Sequence, residues 1–82
     1  IAPQAPVHFL VIPKAHIASV AGVNEENSAV VAHIFEVIAK LTKEKGIESY
    51  RVVSNIGEQA GQSVPHLHFH VLAGRDMTWP PG

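Results

Sequence analysis

The chain has 82 residues, 46% of them hydrophobic, with six basic and seven acidic side chains and a formal net charge of −1 when the histidines are neutral. These values describe one small domain with no basic stripe suited to a nucleic-acid backbone, so no nucleic-acid partner is expected. Cysteine is absent, which removes disulfides and thiolate metal ligands, and no apolar run approaches the ~20 residues that cross a bilayer.

A chain of this size buries only about 60–65% of the surface its unfolded form exposes, so its core is modest unless a partner completes it. The lack of cysteine is compatible with a reducing compartment, and a cytoplasmic location is expected.

In chain order, an irregular entry with two prolines leads into "HFLVI" (8–12), a short run of β-formers stopped by Pro13 and read as a strand. "PKAHIASVAG" (13–22) is a connector with room for one short helical turn. Asn24 then offers an N-cap, with Glu25 and Glu26 in the first turn, where the helix dipole favours negative charge. Val30, Ile34, Val37 and Leu41 recur at helical spacing, and Val31 and Ile38 widen that stripe. Lys43 and Lys45 lie in the last turn and Gly46 supplies a stop, predicting a helix of about 20 residues. "YRVVSN" (50–55) reads as a second strand, "IGEQAGQSVP" (56–65) as a long connection, and "HLHFHVL" (66–72) as a third strand antiparallel to the second. The predicted fold is α+β: a small antiparallel sheet with one main helix packed on a face.

Three of the six histidines fall at 66, 68 and 70. In a strand they share one face, while Leu67, Phe69 and Val71 point to the other and can pack on the helix stripe. An amphipathic strand with histidine at its polar positions is one reading, although histidine is not a favoured filler there. A zinc site is another. Alternate residues lie ~6.7 Å apart, so the outer pair are ~13 Å apart, whereas nitrogens on one zinc lie ~3.3 Å apart. Glu58 and Asp76 are the nearest acids, so no metal is expected. The third reading is phosphoryl chemistry. A neutral imidazole at the centre, His68, can attack phosphorus while its neighbours orient it or donate to phosphate oxygens. "GEQAGQS" leads into the strand with glycines, backbone amides and a hydroxyl that can cradle an anion.

"HLHFHVL" matches the His-φ-His-φ-His-φ-φ pattern (φ apolar) of the histidine triad family of nucleotide hydrolases and transferases. "HFLVIPKAHI" (8–17), "NIGEQAGQSV" (55–64) and "GRDMTWPPG" (74–82) resemble its Hint branch, the purine nucleoside phosphoramidases, so the similarity spans essentially the whole chain. The resemblance implies a single domain over 1–82, and a hydrolase that releases AMP-type nucleotides from amines through a covalent nucleotidyl-histidine, without a cofactor. It makes His68 the nucleophile and His70 a phosphate contact. His66 becomes the residue whose main-chain carbonyl holds the nucleophile's ring. Asn55, Gly61, Gln62 and Ser63 correspond to residues that bind ribose and phosphate, with Ser63 near the leaving amine. His16 corresponds to a further histidine behind the nucleophile.

Family members carry an upstream segment with apolar nucleobase contacts and an acidic ribose ligand. Ile1 stands where that segment would join and is placed on the substrate side, and the domain is expected to lack that first part. A homodimer is implied, with the "WPPG" tail reaching the other subunit. Two other functions compete: hydrolysis of diadenosine polyphosphates, and nucleotide binding or scaffolding without turnover. His8 reads as structural, His33 as a helix boundary residue and Lys14 as a solvated loop charge.

Overall fold

A computed structural model describes residues 3–82. Its elements are β1 (Val7–Val11), α1 (Ser28–Glu44), β2 (Tyr50–Val53) and β3 (Phe69–Ala73), with single 3-10 turns at Val20–Gly22 and Glu58–Ala60. The three strands form one antiparallel sheet in the order β1-β3-β2. This is the α+β architecture read from the sequence. Ile1, expected on the substrate side, lies outside the described residues. None of the described helices is long and apolar enough to cross a membrane.

The register assigns the two faces. Phe9 opposes Val71, Val11 opposes Phe69 and Val52 opposes Val71. Directly paired residues share a face, so these side chains point together toward the helix. Ile17, Ile34, Ile38, Leu67, Phe69 and Val71 form the buried cluster, with Phe9, Val11, Val23, Val30, Val31 and Val52 packed at its margin. Phe35 stacks edge-on against Phe69 with centroids 5.3 Å apart. The opposite face carries His8 beside Leu72 and Leu10 beside His70.

The third strand is shorter than the predicted 66–72. Only Phe69–Ala73 joins the ladder, and of the three histidines only His70 lies within it. Pro65 has no N–H, the His66 amide turns back to the Val64 carbonyl at 2.8 Å, and the Leu67 amide bonds the Ile17 carbonyl at 2.6 Å. Those amides are therefore committed to the loop and the connector, not to a neighbouring strand. The alternation of faces nevertheless continues through the segment, with Leu67, Phe69, Val71 and Ala73 all buried. The second strand likewise ends at Val53, short of the predicted Asn55.

The helix also begins later than Asn24. Asn24 does cap: its side chain accepts from the amides of Glu26 (2.8 Å) and Asn27 (3.2 Å), while Asn27 Oδ1 accepts from the Asn24 amide at 2.7 Å. This reciprocal pair closes a turn ahead of the regular helix, so Glu25 and Glu26 sit in the turn and α1 spans 17 residues. At the other end, Gly46 adopts φ +69°. The Ile47 amide bonds the Thr42 carbonyl at 2.8 Å and the Gly46 amide bonds the Lys43 carbonyl at 3.1 Å, a Schellman stop that needs the glycine. The fully buried helix line is Ile34, Ile38 and Thr42, not Val30, Val37 and Leu41. Thr42 can be buried because its hydroxyl donates to the Ile38 carbonyl at 2.8 Å.

Leu67 is 1% exposed between two histidines, whereas Val64 is 54% exposed. Leu67→Ala is expected to cost about 2–5 kcal/mol in urea denaturation, and Val64→Ala to stay within about 0.5 kcal/mol. A cost for Leu67→Ala as small as that for Val64→Ala would contradict the packing described.

Candidate active site

The imidazoles emerge on the face of the sheet away from the helix because their odd-numbered neighbours are drawn into the core. Leu10, Ile12, Asn55, Gly61, Ser63, Val64, His66, His68 and His70 line a cleft of about 460 Å³. A larger cleft of about 640 Å³ separates the end of β1 from α1, but its walls are mostly alkyl, with Lys14 and His33 as the polar exceptions. The smaller cleft holds the three imidazoles of the triad.

Backbone partners decide which nitrogen of each ring carries the proton. His68 Nδ1 lies 2.7 Å from the His66 carbonyl oxygen, which can only accept, so Nδ1 bears the hydrogen and Nε2 keeps its lone pair. His66 Nε2 lies 3.0 Å from the Pro13 carbonyl and donates to it. The Gln4 amide donates to His8 Nδ1 at 3.1 Å, leaving the His8 proton on Nε2. That nitrogen lies 2.9 Å from His70 Nδ1 and donates to it, so the proton of neutral His70 is on Nε2. One ring is thus an acceptor at Nε2 and its neighbour a donor at Nε2. The His68 and His70 rings meet edge to face with centroids 5.1 Å apart. Burial, followed by the charges of His68 and His8, lowers the His70 pKa below the usual 6.5.

The segment carrying His68 is held on both sides. Ser54, one residue past β2, donates its hydroxyl to the His68 carbonyl at 2.8 Å, where the regular ladder has already stopped. The 57–64 loop turns on Gly61, whose φ of +95° suits glycine. A Cβ on Gly61 would lie 3.8 Å from the Asn55 amide nitrogen. Among the described residues, the Asn55 carboxamide, the Ser63 hydroxyl and amide, and the Val64 amide have no partner within the chain. They leave donors at the cleft for an anionic ligand. No group of three metal-ligating side chains is found among the described residues.

Of the residues singled out from the sequence, His66, His68, His70, Asn55, Gly61 and Ser63 converge on the cleft. Two do not. His16 is exposed and stacks on His66 at 5.5 Å without lining the cleft. Gln62 turns its carboxamide away, into bonds with Gly57, Ala18 and Val64. The sequence reads His8 as structural and gives no signal at Ser54. His8 shares the outward parity of Leu10 and Ile12, but only the β1–β3 register brings it to His70.

A family model described as "Scavenger mRNA decapping enzyme C-term binding" matches residues 1–79. An uncharacterized HIT-like protein of Synechococcus elongatus is 46% identical over 83 residues, covering 100% of this chain and 73% of that protein. The crystal structure of a HIT family hydrolase from Legionella pneumophila superposes with a TM-score of 0.93 at 48% identity, over 98% of this chain and 73% of that one. A histidine triad protein from Clostridium difficile gives a TM-score of 0.89 at 42% identity, over 95% and 70% of the respective chains. The triad geometry, the family model and these relatives agree, and the chain belongs to the histidine triad (HIT) family.

Proposed function

We propose that this chain is a hydrolase that cleaves purine nucleoside phosphoramidates through a covalent nucleotidyl-His68 intermediate. The observation that carries the reading is the 2.7 Å bond from His68 Nδ1–H to the His66 carbonyl, which leaves Nε2 unprotonated toward the cleft. The name of the Legionella relative, HIT family hydrolase, supports hydrolysis. The phosphoramidate and purine preferences rest on the resemblance of the "NIGEQAGQSV" and "GRDMTWPPG" blocks to the Hint branch.

In the first step the His68 Nε2 lone pair attacks the α-phosphorus and the P–N bond to the amine breaks. The departing nitrogen takes a proton from the Ser63 hydroxyl and leaves as the neutral amine. Positive charge on the substituted ring is offset by the His66 carbonyl. His70 Nε2–H and the Ser63 and Val64 amides donate to the phosphoryl oxygens as charge builds on them. Water then attacks the phosphorus, the P–N bond to His68 breaks, and the water's proton returns to Ser63, giving the nucleoside monophosphate. His8 orients His70 in this scheme through the 2.9 Å bond between their rings. Two copies are proposed to work together, an arrangement supported by outward-facing rings at Trp79 (83% exposed), Phe35 and Tyr50.

His68→Asn is expected to lower kcat for an AMP–amine phosphoramidate by at least ~10³ while AMP binding stays within a few-fold. Substantial residual activity with continued adduct formation would remove His68 from the nucleophile's role.

The His70 environment also predicts a pH dependence. Its folded pKa lies below 6.5, so as pH falls the unfolded chain takes up this proton first. The contribution of neutral His70 to stability is complete above about 6.5 and is lost as pH falls through the folded value. Between about pH 8 and pH 5, Tm should fall more steeply for the wild-type chain than for His70→Gln. Parallel curves would show that His70 is not held neutral by the fold.

A further inference from the structure

Gln62 sits between two residues of the cleft, yet its side chain faces the other way. Gly61, Ser63 and Val64 line the cleft and Gln62 does not. Its Oε1 accepts the Gly57 amide at 3.0 Å, and its Nε2 donates to the carbonyls of Ala18 at 2.8 Å and Val64 at 3.1 Å. The orientation of this amide is forced. Rotated by half a turn, it would set an oxygen against two carbonyls and an NH₂ against an N–H. Both Nε2 hydrogens are consumed, so the carboxamide has no donor left for a phosphate or a sugar.

Those three bonds join three pieces of chain. Gly57 opens the loop, Val64 closes it, and Ala18 belongs to the connector after β1. The connector is itself fixed to the histidine segment, through the Pro13 carbonyl to the His66 ring at 3.0 Å and through the Ile17 carbonyl to the Leu67 amide at 2.6 Å. The path from loop to nucleophile is therefore a closed circuit of hydrogen bonds, and Gln62 supplies the link on the loop side. Without it, the described side-chain contacts reach the connector only from His66, beyond the loop's exit, and none from the loop itself.

We propose that Gln62 is a positioning residue: its carboxamide pins the 57–64 loop to the connector, so that the Ser63 hydroxyl and the Ser63 and Val64 amides face His68, and it makes no contact with the substrate. The inference rests on the phosphoryl-transfer reading of the cleft. It differs from the role that family resemblance gives Gln62, which is to bind the nucleotide. A displacement of about 1 Å in such donors can cost as much as ~10² in rate, because they act on charge that develops only in the transition state.

The test uses Gln62→Met, which keeps length and loses all three bonds, and Gln62→Glu, which keeps an acceptor for Gly57 and loses both donors. For hydrolysis of an AMP–amine phosphoramidate, both variants should lose about 10–10² in kcat with KM within about threefold. In the ligand-free protein, hydrogen exchange at the Gly57 amide should accelerate at least about tenfold in Gln62→Met and stay near wild type in Gln62→Glu. A raised KM with unchanged kcat would mean that Gln62 binds substrate directly and would overturn the proposal, as would unchanged kinetics in both variants. If the wild-type chain fails to hydrolyse the phosphoramidate, the functional reading falls and the exchange arm decides the clamp alone. Equal Gly57 exchange in wild type and Gln62→Met would then overturn it.

Discussion

An imidazole is a nucleophile only through a nitrogen that carries no proton, and in this chain one hydrogen bond between neighbours decides which nitrogen that is. The carbonyl of His66 accepts from His68 Nδ1 at 2.7 Å. A carbonyl has nothing to donate, so the proton stays on Nδ1 and Nε2 keeps the lone pair on a ring that lines the cleft. Much of the surrounding structure serves to hold that carbonyl still. The His66 ring is tied to Pro13, the Leu67 amide to Ile17, and the His68 carbonyl to Ser54. Where a strand ladder would normally fix the backbone, bonds to the connector and to a serine hydroxyl take its place.

The same segment is anchored from below by packing. Leu67, Phe69 and Val71 alternate with the histidines and fill the space between sheet and helix, where Ile34 and Ile38 meet them. Slipping the segment by one residue would send three imidazoles into an apolar core and three apolar side chains into water, which makes the register costly to change. The core thus specifies which side of the sheet carries the imidazoles, and the hydrogen bonds specify which ring nitrogen of His68 keeps its lone pair. The His8–His70 pair adds the complementary donor. Its relay begins at the Gln4 amide and ends on His70, whose ring meets that of His68 edge to face with centroids 5.1 Å apart.

Local pattern makes much of this legible in the sequence. The period-two alternation at 66–72 assigns the faces correctly, and the Asn24 and Gly46 signals bracket the helix, because these effects act over a few residues. What was not legible depends on partners distant in sequence. The strand starts at Phe69 because the Leu67 amide finds Ile17, fifty residues earlier, and nothing in "SVPHLHF" announces that bond. His8 looked structural because its meeting with His70 follows from the β1–β3 register. Gln62 sat inside a motif that suggests ligand contact, and only the placement of Ala18 and Val64 turns its amide away. Thr42 carries no signal in the hydrophobic pattern, because its burial requires a hydroxyl bonded within its own helix.

The central claim is a distribution of protons, and long-range ¹H–¹⁵N correlation NMR of the imidazole rings reads it directly. In the ligand-free protein at a pH above the histidine range, His68 should be the Nδ1–H tautomer, while His66, His8 and His70 should each be Nε2–H. A His68 ring found as Nε2–H, or averaging between the two tautomers, would contradict the account, because the nitrogen facing the cleft would no longer be the one with the lone pair.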